Sequence, residues 1–133
     1  MSVPVFGMTD YYFRITLKKI KRAIIPVGSL EQHGAHLPVS TDSLITEYIA
    51  RLLAEKVGAF VLPVISYGVS FEHIPMFNVS LRNSTLSTVL CDICNSLAEN
   101  KIREIIIING HHGNRGAIQY IPQETQSKIP TMD

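Results

Sequence analysis

Excess charge of either sign is nearly missing from the sequence. Lys and Arg together number 12 and Asp and Glu number 11, which gives a formal net charge of +1 over 133 residues. The densest basic stretch, which is typical of a solvated helix end, comprises Lys18, Lys19, Lys21 and Arg22. Because a nucleic-acid surface needs clustered positive charge, we expect no nucleic-acid partner.

Long apolar runs are also missing. No run approaches the ~20 residues that a membrane-spanning helix needs, and the N-terminus lacks the charged and apolar segments of a secretory signal. We therefore expect no membrane association and a cytoplasmic location. The composition, 46% apolar and 17% charged, is typical of a globular protein with a real core. It predicts a single domain over residues 1–133.

Cysteine is scarce, and two common catalytic patterns are absent. Cys91 and Cys94 form one C-x-x-C, and no second pair exists to complete a structural zinc site. The helical periodicity around them favours buried helix residues over a redox site. No G-x-S-x-G elbow of a serine hydrolase is present, and no G-x-G-x-x-G follows a strand to bind phosphate.

What the sequence does contain is an alternation of helical and strand-like patterns. Short apolar runs predict strands at 22–28, 59–65 and 104–110. Helical patterns are predicted at 8–21, 44–58, 84–100 and 114–128, and a long polar loop at 66–84. Apolar strands separated by helices indicate a mainly parallel sheet covered on both faces. The predicted fold is therefore a three-layer α/β/α structure.

The helix boundaries and faces can also be predicted. Thr9 or Asp10 is the expected N-cap of the first helix, and Asn83 or Ser84 that of the third. Gly58 is the expected stop of the second helix, and Pro122 should kink or shorten the last. The apolar face predicted for the second helix consists of Ile45, Tyr48, Ile49, Leu52 and Leu53.

Polar clusters follow all three predicted strands: GSLEQHGAHLPVSTD, SYGVSFEH and NGHHGN. Ligands of such sheets bind beyond the carboxyl ends of the strands. In the first cluster, Glu31, His33 and Asp42 combine carboxylates with an imidazole, a set that suits zinc, iron or manganese. Glu31 and His33 point the same way if the segment is extended. Taken singly, Glu31 fits a surface residue, His33 a loop histidine and Asp42 a helix N-cap.

The third cluster adds His111 directly after the most apolar strand. Gly110 and Gly113 allow tight turning and close approach of the backbone there. A Gly-His turn is a weak signal alone, since many turns contain Asn-Gly. Its placement at the same sheet edge as Glu31 and Asp42 is what predicts a shared metal site.

The segments IIPVGSLEQHGAHLPVSTD, YGVSFEH and IIINGHHGN resemble the successive signatures of the creatininase (creatinine amidohydrolase) family, from about Met8 onward. In the last segment His112 stands where the family usually has glycine. The resemblance implies a creatininase-like α/β fold with a binuclear centre of zinc, manganese or iron ions. It also implies hydrolysis of an amide by a metal-activated water.

The resemblance implies a role for each matching residue. Glu31 and His111 would hold one metal, His33 would hold the other, and Asp42 would bridge them. Two motif residues, His36 and Asn114, would orient ligands or loops. Two residues of the second cluster, Glu72 and His73, would lie on the substrate side. His73 could instead contact a neighbouring subunit, and a buried structural role fits this histidine equally well.

Two departures from the family pattern bear on activity. Family members are close to twice this length, and their C-terminal part carries the catalytic histidine and usually the last metal carboxylate. In true creatininases that carboxylate instead lies two residues after the NGH histidine, where this chain has Gly113. Glu124 is the one carboxylate nearby. We therefore expect the N-terminal half of a hydrolase, truncated at its C-terminus, whose catalytic residue is unknown and which binds one ion better than two.

Three functional hypotheses follow. The first is a metal-dependent amidohydrolase, or its N-terminal portion, acting on a C–N bond of a small cyclic amide or a formamide. The second is a non-catalytic, truncated metal-binding or assembly subunit of the same fold. The third is a plain α/β domain in which the motif residues are structural. A homo-oligomer is expected in each case, since a sheet cut short leaves apolar faces uncovered and family members are typically hexamers.

Overall fold

A parallel sheet of four strands organises the chain in the computed structural model, which describes residues 2–119 and 121. The strands are β1 (Ser2–Pro4), β2 (Arg22–Val27), β3 (Ala59–Val61) and β4 (Glu104–Asn109). Their order across the sheet is β1-β3-β2-β4, and every pairing is parallel. The predicted parallel α/β fold is therefore confirmed.

Helices cover both faces of this sheet. They are α1 (Asp10–Leu17), α2 (Thr41–Val57), α3 (Asn83–Glu99) and the short α4 (Arg115–Ile118), with 3-10 turns at Phe71–His73 and His112–Asn114. None of the helices in the described part of the chain is long and apolar enough to cross a membrane.

The side chains of β2 alternate between the two faces, as those of any strand do. Ile24 packs with Ala50 and Ala54 of α2 on one face. Ile25 and its neighbours pack with α1, α3 and α4 on the other face, in a core that includes Ala23, Val27, Phe60, Leu86, Leu90, Ile105 and Ala117. Two apolar clusters on opposite faces give the predicted three layers.

Two strand predictions need correction. β1 was not expected, because a three-residue strand is too short to show a period in the sequence. β3 ends at Val61 rather than at Ile65, since Pro63 has no backbone N–H to donate to a neighbouring strand. The segment still runs beside β2, because the Ile65 N–H donates to the Pro26 carbonyl at 2.9 Å.

The helix predictions are correct in position but not in every boundary. Thr9 caps α1 as predicted, accepting a hydrogen bond from the Tyr12 N–H at 3.3 Å. Gly58 ends α2 as predicted, with a positive φ of 67°. The N-cap of α3 is Arg82, which makes no side-chain capping bond. The prediction for 122–128, including the effect of Pro122, lies outside the described residues.

The face of α2 that packs on the sheet also differs from the prediction. Its buried residues are small or polar: Ser43, Thr46, Ala50 and Ala54. Four of the five apolar side chains expected in the core are exposed by 44–64%: Ile45, Tyr48, Ile49 and Leu52. The helix approaches so closely that Gly28 and Gly110 lie against Ser43 and Thr46. The positions of α2 nearest these strand ends therefore take small or polar residues, while Leu53 and Val57 pack half-buried against the same face of the sheet.

Both cysteines lie on α3, Cys94 buried and Cys91 half-buried. Burial raises the pKa of the Cys94 thiol to about 11, so this thiol stays protonated and poorly nucleophilic at neutral pH. The structure therefore agrees with the helical core role predicted for this pair.

The close packing of α2 predicts that Gly28→Ala destabilises the protein. A Cβ at residue 28 would overlap the backbone and hydroxyl of Ser43, and such overpacking costs about 1–3 kcal/mol. Gly116→Ala is the matched control, since its Cβ would meet nothing closer than 3.4 Å. Urea unfolding should show a lower free energy of unfolding for Gly28→Ala only; equal stability of both variants would contradict the packing.

Candidate metal centre

The carboxyl edge of the sheet brings Glu31, Asp42 and His111 together, with one ligand atom from each lying within 4.8 Å of the others. Glu31 follows β2, and its N–H donates to the Val39 carbonyl at 3.0 Å. Asp42 is the second residue of α2, and His111 comes two residues after β4. Three separate segments therefore meet, as the placement of the polar clusters predicted.

His111 presents a lone pair to two carboxylates. Its Nε2 lies 2.8 Å from the Val69 carbonyl oxygen, which can only accept a hydrogen bond, so Nε2 carries a proton. The other ring nitrogen, Nδ1, lies 3.0 Å from Glu31 Oε1 and 3.1 Å from Asp42 Oδ2. Unless a second proton sits on the ring or a proton sits on Glu31, three acceptor atoms meet here with no hydrogen between them. A cation satisfies all three.

His33 repeats this arrangement on the other side of Asp42. Its Nδ1 lies 3.1 Å from the Glu31 carbonyl oxygen, so this nitrogen carries a proton. Its Nε2 lies 3.0 Å from Asp42 Oδ1. The two oxygens of Asp42 therefore face two different imidazoles, and backbone carbonyls orient both rings, as is usual for metal-ligating histidines.

Asp42 is not the helix N-cap that it resembles when taken alone. The cap is Ser40, without a side-chain bond, while Asp42 Oδ2 accepts a hydrogen bond from Ser29 Oγ at 2.7 Å. Ser29 is held in turn, because Ser43 Oγ donates to its carbonyl at 3.1 Å. The carboxylate is thus aimed away from the helix end and into the cluster.

The two carboxyl groups have pKa values shifted in opposite directions. Burial, opposed by the nearby His111, raises the pKa of Glu31. Burial alone would also raise the pKa of Asp42, but hydrogen bonds with Ser29 and Glu31 and the charge of His33 outweigh it and lower the pKa. Without a cation, a proton on Glu31 relieves the repulsion between the two groups.

A second group of ligand atoms meets the first at Glu31. Its other oxygen, Oε2, is buried and has no hydrogen-bond partner, although His73 Nε2 lies 3.1 Å away in an unfavourable direction for a hydrogen bond. Glu72 Oε1 lies 3.9 Å from His73 Nε2 and 3.4 Å from His111 Nε2. The structure thus brings the predicted pair Glu72 and His73 to this edge as well.

Asn114 joins three of the loops around the cluster. Its side chain is fully buried; Oδ1 accepts from the Val69 N–H at 2.9 Å, and Nδ2 donates to the Gly28 carbonyl at 3.0 Å. Because Val69 also fixes the ring of His111, Asn114 controls that histidine indirectly. His36, by contrast, is exposed and makes no hydrogen bond with the cluster among the described residues.

Three contributors to the site were not identified from the sequence. Ser29 lies inside the first polar cluster but has no pattern of its own. The Val69 carbonyl is a backbone group, so no residue type marks it. Gln32 lies between two candidate ligands, and its Nε2 is 2.9 Å from His73 Nδ1. Glu124 lies outside the described residues.

Comparison with known proteins agrees with this arrangement. A family model described as creatinine amidohydrolase matches residues 8–133. The chain belongs to the creatininase family. A comparison with curated protein sequences gives no match.

Solved creatininases share the fold. One structure of creatinine amidohydrolase (creatininase) is 31% identical with a TM-score of 0.85, over 97% of this chain and 52% of that one. A mutant creatininase complexed with creatine is 29% identical with a TM-score of 0.84, over 98% and 53%. A manganese form of creatininase is 29% identical with a TM-score of 0.79, over 96% and 54%. The chain thus spans about half the length of the creatininases it matches.

The geometry of His33 predicts a pH-dependent stabilisation of the metal-free protein. Its hydrogen bond to the Glu31 carbonyl raises the pKa of His33 above 6.5, with a further contribution from Asp42 against the opposing effect of burial. Because the folded-state pKa is raised, the stabilisation is full below the unfolded-state pKa and is lost as pH rises through the folded-state pKa.

Urea unfolding in the presence of a chelator tests this pH dependence. His33→Gln should be more destabilising at about pH 6 than at about pH 8.5, values on either side of the ordinary histidine pKa. In an Asp42→Asn background the difference between the two pH values should shrink, because the partner charge is gone. An equal effect of His33→Gln at both pH values would contradict the proposed protonation.

Proposed function

We propose that this chain carries the metal-binding half of a creatininase-type amidohydrolase, which cleaves a C–N bond of a small cyclic amide or a formamide. The observation that carries the proposal is the convergence of His111 Nδ1, Glu31 Oε1 and Asp42 Oδ2 within 3.0–3.1 Å contacts. A histidine oriented by a backbone carbonyl, the buried carboxylate of Glu31 and the half-buried carboxylate of Asp42 fit zinc or manganese. The solved relatives include manganese and zinc forms of creatininase.

In this proposal each residue has a defined task. Glu31, Asp42 and His111 hold the first ion. Asp42 Oδ1, which faces His33 Nε2 at 3.0 Å, extends the centre towards a second ion, as the family resemblance implies. On the side of His33, the described residues offer no third ligand for this second ion. The position at which the family resemblance implies a carboxylate is Gly113 in this chain.

The substrate class follows from the chemistry of such a centre. A divalent ion, when bound, lowers the pKa of a water and polarises an amide carbonyl. The residues of this chain hold the ion, keep both imidazoles in the ligating tautomer and exclude water from the buried side of Glu31. Glu72, which is exposed, and His73, which is half-buried, form the solvent-facing side, from which a small amide would approach.

The central test is metal content together with amide hydrolysis. Protein that has been freed of metal with a chelator and then dialysed against zinc or manganese should retain at least one ion per chain, measured by elemental analysis. Asp42→Asn should weaken metal binding at least about 100-fold. Even the loss of a residue that only orients a metal ligand lowers metal affinity about 10–100-fold. Asp92→Asn, a change in an exposed carboxylate of α3, is the matched control.

The outcomes of this test separate the hypotheses. Metal binding with hydrolysis of a cyclic amide or a formamide, both lost in Asp42→Asn, supports the amidohydrolase. Retention of an ion without turnover of any amide supports the second hypothesis, a metal-binding or assembly subunit. If the protein retains no ion, or if Asp42→Asn retains as much metal as the unchanged protein, the third hypothesis is supported, in which the motif residues are structural.

We also propose that the chain forms a homo-oligomer through α2. The exposed apolar side chains of this helix form a continuous stripe at i, i+1, i+4, i+5 and i+8: Leu44, Ile45, Tyr48, Ile49 and Leu52. Exposed apolar stripes of this kind favour association. Sedimentation velocity should show an oligomer that Ile49→Glu dissociates and Val89→Glu, on α3, does not. A monomer at high concentration would refute the proposal.

A further inference from the structure

A cleft lies at the amino edge of the sheet, opposite the candidate metal centre. Its volume is about 620 Å³, and it is lined by residues of the α1–β2 connection, the end of α2, the α3–β4 connection and the first residues of β2 and β4. β2 runs from this edge towards the metal centre, and its six residues span ~20 Å. A ligand in the cleft would therefore not touch the residues of that centre.

Positive charge dominates the cleft. Among the described residues that line it, four are cationic and one is a carboxylate: Lys19, Lys21, Arg22, Arg103 and Glu104. Arg22 already uses the carboxylate, since its Nη2 lies 2.6 Å from Glu104 Oε2. The other three cations therefore have no counter-charge among these lining residues.

The fold brings these cations together from two separate segments. Lys19 and Lys21 belong to the α1–β2 connection, whereas Arg103 belongs to the α3–β4 connection. The Lys21 carbonyl accepts hydrogen bonds from the Arg103 N–H at 2.8 Å and from the Glu104 N–H at 3.2 Å. A solvated helix end, which the sequence predicts for the basic stretch, accounts only for the first segment. Arg103 joins that segment only once the chain is folded.

Arg22 offsets two acceptor groups of the cleft that would repel an anion. Its Nη1 donates to the Val57 carbonyl at 2.8 Å, and its Nη2 pairs with the Glu104 carboxylate. Val57 is the last residue of α2, where the final carbonyls of a helix carry partial negative charge. Because Arg22 partners both acceptors, the positive charge of the two lysines and Arg103 remains available to a ligand.

We propose that this cleft binds a small molecule that carries a phosphate or pyrophosphate group, a role separate from the proposed function. A phosphate group carries about −1.5 to −2 charges at pH 7, so it takes more than one cation to balance it, whereas one cation balances a carboxylate. Lysine and arginine both donate strong, charge-assisted hydrogen bonds to phosphate oxygens. The volume of the cleft lies within the ~300–1,000 Å³ that is usual for small-molecule sites, which leaves room for an organic part of the ligand.

An NMR titration of the full chain with pyrophosphate tests the proposal. The protein is first freed of metal and of chelator, because pyrophosphate would otherwise bind an ion at the metal centre. The backbone amide signals of Lys21, Gly58 and Arg103 should shift along one saturable curve, with one pyrophosphate per chain. The signals of Gly110 and His111, at the opposite edge of the sheet, should not move.

Single substitutions in the cleft should weaken pyrophosphate binding about 10-fold each, roughly the factor that one hydrogen bond to a charged group contributes. The variants are Lys19→Gln, Lys21→Gln and Arg103→Gln. Two exposed cations that do not line the cleft provide matched controls: Lys18→Gln, next to Lys19, and Arg82→Gln, before α3. Each control removes the same charge but no contact with the ligand, so in about 0.15 M salt, which screens exposed charges, it should keep the affinity within about 2-fold. Circular dichroism checks that every variant is folded.

Two other anions, succinate and a short single-stranded DNA, are titrated in the same way, and both should bind more weakly than pyrophosphate. Binding of succinate as tight as that of pyrophosphate would assign the cleft to carboxylates, and equally tight binding of the DNA would assign it to nucleic acid; either result overturns the proposal. The proposal is also refuted by shifts centred on Gly110 and His111, by the lack of a saturable shift, or by equal weakening in Lys18→Gln and Lys19→Gln. None of these results bears on the proposed function, because the protein in this experiment is free of metal.

Discussion

The crowding of acceptor atoms around His111 is the constraint on which the rest of the site depends. The Val69 carbonyl fixes the proton of the ring on Nε2, so Nδ1 meets two carboxylate oxygens at 3.0 and 3.1 Å. Neutral imidazole and two carboxylates cannot remain so close in a buried place without a positive charge between them. A proton or a metal ion must be present, and the neighbouring contacts serve to hold these atoms in position.

The fold holds them by bringing strand ends and one helix unusually close together. Gly28 and Gly110 directly follow β2 and β4, and each lies against α2, which carries Asp42. This closeness explains why the buried residues of α2 are small or polar, while most of its large apolar side chains are exposed. Asn114 adds a second restraint, since its amide joins the segments of Val69 and Gly28. The geometry of the cluster is therefore set by the packing of the sheet and is not left to flexible loops.

Most of this arrangement could be predicted from the sequence, for a physical reason. Buried parallel strands are apolar throughout, so their ends are sharply marked, and Glu31, Asp42 and His111 follow those ends. Three features could not be predicted. β1 is too short to show a period; the Val69 carbonyl has no side-chain signature; and Asp42 at a helix start looks like a cap. The contact with Ser29 that turns Asp42 inward appears only once the chain is folded.

The same contacts give the two carboxylates of the cluster unequal surroundings. Asp42 has a partner at each oxygen: Oδ2 accepts a hydrogen bond from Ser29 Oγ at 2.7 Å, and Oδ1 faces His33 Nε2 at 3.0 Å. Glu31 has Oε2 without a hydrogen bond, and burial raises its pKa against the opposing effect of His111. Asp42, whose pKa is lowered, is the better compensated of the two. The packing that buries Glu31 therefore makes it the carboxyl group that takes up a proton more readily when no cation is bound, while Asp42 stays ionised between its partners.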